Sequence, residues 1–217
     1  MDEKIKEPDE MDNLSNKLIT WPKGKKIERI HSVLFHAVQF NPGKGYSRFS
    51  PIFSQSGNNI PTLYGGINIS VALMETLLHD LPTPCKNTPV ELSLLSLLVR
   101  SQILPKEDIR LIDLNPRFMR KHGITQNHLL NSPSANYSST QKWAEKVHGD
   151  NPEAQGIQWA SKQHGDHAIM LFGDRVNHSN LNVNIDSEPA LNSVDVNNEL
   201  TLLADELDLI LLPPNFL

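Results

Sequence analysis

Arg48, Glu75 and Ser161 supply a cation, a carboxylate and a hydroxyl, each in a short and distinctive context: GYSRFSP, ALMETLLHD and GIQWAS. A guanidinium makes paired hydrogen bonds to phosphate oxygens, so Arg48 in a glycine-containing loop can hold a diphosphate. A carboxylate beside a ribose stabilises the positive charge that develops when an N-glycosidic bond breaks, the role open to Glu75. Ser161 can hydrogen-bond a ribose or an amide. Tyr64, followed by Gly65 and Gly66, can wall a planar heterocycle. Arg29 and His31 alternate along one strand and point to one side of it, a candidate cleft face. Each also has an ordinary reading: a surface arginine, a half-exposed helix glutamate, a core tyrosine, a satisfied core histidine. No G-x-S-x-G elbow surrounds Ser161, so a serine hydrolase is excluded. His164 and His167 in HGDH lack a third ligand at metal spacing, so no metal site is expected.

These residues need elements to hold them. Residues 1–20 mix charges with few large apolar side chains and read as a flexible segment, leaving 21–217 as a single domain. Regular structure is expected from Lys25, with a strand in KIERIHS and a loop in NPGKGYSRFSP. A short strand follows at Thr62 to Tyr64. Ser70 is a candidate cap for a helix from Val71 to His79. On that helical wheel Glu75 falls roughly 40° from Val71, at the margin of the apolar stripe. Residues 91–98 fit either helix or strand. IRLIDL (Ile109 to Leu114) reads as a buried strand, and Arg117 to His122 as a helical turn. Ser138 with Gln141 has the spacing of a capping box for a helix through Val147. Residues 156–161 and 167–172 read as a hairpin. The Asn-rich stretch 177–198 reads as a loop or insertion, followed by a helix at 199–206 and a last strand at 207–212. Strands and helices do not alternate regularly, which favours an α+β fold over a doubly wound sheet.

Composition narrows the function classes. With 20 basic and 25 acidic residues, the 217-residue chain carries a net charge of −5, against a broad nucleic-acid footprint. Cys85 is the only cysteine, so no internal disulfide can form, and a reducing, cytoplasmic setting is expected. The N-terminus lacks the apolar stretch of a secretory signal, and no apolar run approaches the roughly 20 residues of a membrane span.

The motifs also come in a set order. RIH (Arg29 to His31), FNPG (Phe40 to Gly43), SRFSP (Ser47 to Pro51), TLYGG (Thr62 to Gly66), ALMETLLHD, IRLIDL, YSSTQKWAE (Tyr137 to Glu145), GIQWAS and LFGDRV (Leu171 to Val176) make the chain resemble the RES domain family from Trp21 to Val176. That resemblance implies a mixed, split β-sheet core with flanking helices, similar to ADP-ribosyltransferase toxins, around an NAD cleft. It implies a toxin that cleaves the nicotinamide–ribose bond of NAD with water or phosphate as acceptor, with no resident cofactor, under the control of an Xre-like antitoxin. Transfer of ADP-ribose to a macromolecule, or a catalytically silent partner-binding module, are the alternatives. Carried over by motif, Arg48, Glu75 and Ser161 take the catalytic positions. Arg29, His31, Arg48 and Tyr64 take NAD-binding ones.

Overall fold

The computed structural model describes residues 6–214. Residues 1–5 of the expected flexible segment and 215–217 of the expected domain lie outside the described residues. The core is an eight-stranded sheet. Its strands are β1 (Leu18–Trp21), β2 (Ile27–Ser32), β5 (Thr62–Gly66), β7 (Leu98–Pro105), β8 (Ile109–Asp113), β9 (Gly156–Ala160), β10 (His167–Phe172) and β11 (Leu181–Pro189). They run in the order β1-β8-β9-β10-β5-β2-β7-β11. The β8–β9 pair is parallel and the others are antiparallel, so the sheet is mixed. Two small ribbons complete the strands: β3 (Ile52–Phe53) with β4 (Asn59–Ile60), and β6 (Pro89–Glu91) with β12 (Ile210–Leu212).

Among the described residues, five α-helices accompany the sheet: α1 (Ile69–Met74), α2 (Pro116–Lys121), α3 (Gln126–Leu129), α4 (Tyr137–Asp150) and α5 (Val194–Glu206). The fold is α+β, as expected. The expected split is visible as a near-break: β2 and β5 share one register pair, Glu28 with Gly66, whereas β10 and β5 share five. One half of the sheet is therefore β1-β8-β9-β10-β5 and the other β2-β7-β11.

Alternation along β10 shows how the core is divided. Ala168, Met170 and Phe172 enter a cluster with Trp143 and Val147 of α4 and Phe118 of α2. Ile169 and Leu171 face the other way, against Trp21, Ile27, Leu63 and Ile103. This two-residue period buries β10 on both faces. A third cluster joins α1 to α5 through Leu73, Val196 and Leu200.

Several expectations are corrected. The chain from residue 6 is not loose: Leu14 is fully buried, its N–H bonds Asp150 Oδ2 at 2.7 Å, and the Trp143 indole donates to the Lys6 carbonyl. Leu14 supplies the apolar anchor that the charged composition around it hides. Helix α1 starts earlier and ends sooner than expected. Its cap is Asn68, whose side chain accepts the Val71 N–H at 2.8 Å, while Ser70 Oγ bonds Glu199. Residues 92–97 are a 3-10 turn, and the strand β7 that follows was hidden by its polar residues. The 177–198 stretch is no insertion loop: it holds β11 and the start of α5, which Ser193 caps.

Candidate functional site

The active-site candidate opens where the sheet parts. A cavity of about 310 Å³ is lined by Arg29 and Ile30 of β2, Tyr64 and Gly65 of β5, and Trp159 and Ala168 from the hairpin. Tyr46, Ser47 and Arg48 line it from the loop before β3. Met74, Glu75, Thr76 and His79 line it from the end of α1, Tyr137 from α4, and Lys162 and Gln163 from the β9–β10 turn. Four of the six expected site residues thus meet in one place: Arg29, Arg48, Tyr64 and Glu75. All three tyrosines of the chain line this cavity.

Arg48 is aimed by its neighbours. Its guanidinium donates to both the carbonyl and the hydroxyl of Ser132, at 3.2 Å each, and lies 5.1 Å from the centre of the Tyr137 ring. The loop carrying it is clamped. Gln141 Nε2 donates to the carbonyls of Ser47 and Ser50 at 2.9 Å each, and the Thr140 hydroxyl bonds the Arg48 carbonyl. Helix α4 starts at Tyr137 with no side-chain cap, so Ser138 and Gln141 form no capping box. Gln141 holds the arginine loop instead.

Tyr64 is a structural pin as well as a wall. Its hydroxyl accepts from Ser47 Oγ at 3.1 Å and from the Phe49 N–H at 3.2 Å. Its ring meets Trp159 edge-on, with centres 5.9 Å apart. Burial pushes the phenol well above its ordinary pKa; the hydrogen bonds to Ser47 and Phe49 pull against this. The phenol therefore stays protonated at neutral pH. The glycines beyond Tyr64 serve close approach: a Cβ on Gly65 would run into Ile27 Cγ2 of β2, and one on Gly66 into Val71 of α1.

Glu75 caps the C-terminal end of α1, its N–H bonded to the Val71 carbonyl at 2.9 Å. Buried Met74 precedes it. Thr76, which follows, donates from its hydroxyl to the Ile30 carbonyl at 3.0 Å, tying this corner to β2. No partner for the Glu75 carboxylate occurs among the described residues. Its charge nonetheless reaches both Tyr64 and Tyr137, with that of Arg48 acting in the opposite sense.

Arg29 is largely occupied. Its Nε donates to the Tyr64 carbonyl at 3.0 Å and its Nη1 to the Ala37 carbonyl, so the guanidinium satisfies main-chain groups beside the parting strands. Burial lowers its pKa to about 10, which leaves it cationic at neutral pH. Together with Arg48 and Lys162 it gives the cavity three cations against the one carboxylate of Glu75, in a chain whose net charge is −5.

Two expected residues do not line the cavity. His31 is buried in the sheet, with Nε2 2.9 Å from Ser101 Oγ and Nδ1 3.1 Å from the Ser32 carbonyl. Burial first, then the Arg29 charge, lowers its pKa to about 4. Ser161 closes β9, buried to 2% exposure, with its N–H on the Asp166 carbonyl at 2.8 Å. Among the described residues its hydroxyl is one of the few buried polar atoms that find no hydrogen-bond partner, and the two residues after it reach the cavity. His164 lies in the same turn, its Nδ1 3.6 Å from Asp166. Among the described residues, no group of three or more His, Cys, Asp or Glu is placed to hold a metal ion.

Sequence reasoning passed over Tyr46, Tyr137, Trp159 and Lys162. Tyr46 lies two residues from Arg48, and Tyr137 and Trp159 lie in segments already singled out by motif. An aromatic next to a candidate cation was the available signal.

Comparison with known proteins agrees with this architecture. Residues 26–191 match the RES domain. A search of curated proteins finds no match. Among solved structures, the fold is similar to a chain of the M. tuberculosis MbcT–MbcA toxin–antitoxin complex. The TM-score is 0.58 at 14% identity, over 80% of this chain and 88% of that one. With a RES domain over most of its length, and the motif-bearing residues Arg29, Arg48, Tyr64 and Glu75 gathered at one cavity, the chain belongs to the RES domain family.

Proposed function

We propose that this protein is an NAD-degrading toxin that cleaves the nicotinamide–ribose bond and is restrained by an antitoxin. The observation that carries this reading is the pairing, across one aromatic-walled cavity, of Arg48 with an unpartnered Glu75 carboxylate. Arg48 holds the diphosphate, with the Arg29 charge behind it. The nicotinamide ring lies against the Tyr64–Trp159 pair. As the C1′–N bond breaks, its electron pair goes to the leaving nicotinamide, which departs neutral. The ribosyl cation that remains is stabilised by Glu75. An acceptor oxygen then bonds C1′: water gives ADP-ribose and releases a proton, phosphate gives the 1-phosphate. Ser161, buried behind the cavity wall, acts through the turn it opens, whose Lys162 and Gln163 face the ligand. The antitoxin is expected to be Xre-like, acting with the toxin in the cytoplasm.

The test is NAD consumption by purified protein, with and without phosphate, using NAD labelled in the adenylate half. Wild type should release free ADP-ribose or its 1-phosphate, and Glu75→Gln should be slower by on the order of 10²-fold or more. Equal rates for the two proteins would remove Glu75 from the chemistry. Label retained on a macromolecule would replace depletion by ADP-ribosyl transfer.

A further inference from the structure

The cavity has two aromatic pairs, and they differ in exposure. Tyr64, half-buried, and Trp159, 1% exposed, form the inner one. Tyr46 and Tyr137 form the outer one, with ring centres 5.8 Å apart and planes tilted by 35°. Tyr137 is buried, yet Tyr46 is 56% exposed, although it sits two residues from Arg48 on a clamped loop. The Arg48 guanidinium packs on Tyr137, and Tyr137 packs on Tyr46, so a cation and two rings adjoin at this end of the cavity.

A large aromatic side chain left more than half open at a cavity edge offers a ring face to a ligand. At about 310 Å³ the enclosed space is at the small end of the roughly 300–1,000 Å³ of ligand pockets. It suits one end of a dinucleotide rather than all of it. The bond that breaks is assigned to the inner pair, the less exposed of the two, which leaves the outer pair for whatever lies beyond the diphosphate.

Resting on the reading of this site as an NAD cleft, we propose that Tyr46, backed by Tyr137, stacks on the second planar base of the ligand. It thereby makes the protein selective for a dinucleotide over a mononucleotide. Base stacking on an aromatic ring depends on the ring and not on the phenol hydroxyl. Tyr46→Phe should therefore behave like wild type, and Tyr46→Leu, which keeps an apolar side chain without a ring, should not.

Calorimetric binding of ADP-ribose and of nicotinamide mononucleotide to the full chain tests this without turnover. Tyr46→Leu should weaken ADP-ribose binding at least about five-fold. It should leave nicotinamide mononucleotide within about two-fold of wild type, because that ligand has no second base. Unchanged ADP-ribose binding, or equal weakening of both ligands, overturns the proposal. Wild type that binds both ligands but consumes no NAD would defeat the proposed reaction and leave the stacking role standing. Wild type that consumes NAD while Tyr46→Leu binds normally would do the reverse. Wild type that binds neither ligand would end both.

Discussion

Ser161 carries a hydroxyl that the fold buries and does not answer. A buried polar atom without a partner costs about 1–3 kcal/mol, a cost a fold tolerates where the group serves function. Removing the hydroxyl should therefore separate stability from function. Ser161→Ala is expected to unfold in urea at or above the wild-type midpoint, with stability unchanged or higher by up to about 1 kcal/mol. Its NAD turnover should fall at the same time. A clearly destabilised Ser161→Ala with normal turnover would mean that the hydroxyl serves packing alone. Arg29 and Arg48 show how far one residue's neighbourhood can be read from sequence. Both are arginines in recognisable motifs, and both line the cavity. Only the structure separates them: Arg29 is bound to the Tyr64 and Ala37 carbonyls, whereas Arg48 is held by Ser132 and the face of Tyr137. These partners lie far away in the chain or belong to the main chain, so no local pattern records them.

The elements that aim the site were partly legible. The hairpin β9–β10 and the strands β2, β5 and β8 follow from local signals: side-chain alternation in β2, a glycine-closed short run in β5 and apolar runs in β8, β9 and β10. Strand β7 does not, because its Arg100, Ser101 and Gln102 are buried against distant partners, and edge strand β11 does not, because most of its residues are polar and few are buried. Arg100 bonds Glu28 at 3.3 Å and Asp195 at 2.6 Å, Ser101 meets His31, and Gln102 receives the Asn184 amide. Each of these pairs is separated by about 70 residues or more, beyond the reach of any window along the sequence. Helix α4 shows a related misreading. Gln141 fits a capping box by spacing, but it spends its amide on the Ser47 and Ser50 carbonyls. Gln141→Met keeps the shape and leaves both carbonyls without that donor. The expected cost is about 1–3 kcal/mol in urea unfolding. Because the freed loop carries Arg48, KM for NAD should rise more than kcat falls. A variant that loses stability with an unchanged KM would show that the clamp does not position the arginine.

At the scale of the whole molecule, the cavity and the joint of the sheet are the same place. Strand β2 touches β5 through one register pair, lies against β7 along six, and carries Arg29 into the cavity. Whatever weakens β2 should therefore loosen the fold and the site together. His31 makes that dependence measurable. Its folded pKa is about 4, against 6.5 for the ordinary side chain, because burial and the nearby Arg29 charge oppose the cation while Asp186 favours it. Between these two values the unfolded chain binds a proton that the folded chain does not, so acid favours unfolding. The stability that neutral His31 contributes is fully present above pH 6.5 and is lost progressively as pH falls toward 4. Few carboxylates titrate in the upper part of that window, from about pH 6.5 to about pH 5, but burial also lowers the pKa of His122 and His148, so the His31 share is read as a difference between two proteins. Urea unfolding at closely spaced pH values should show wild-type stability declining across it. His31→Gln, which keeps a hydrogen-bonding side chain beside Ser101 and cannot titrate, should be less stable at pH 7 but follow a flatter line on acidification. Parallel slopes for the two proteins would mean that the histidine is not the group through which acid reaches the joint.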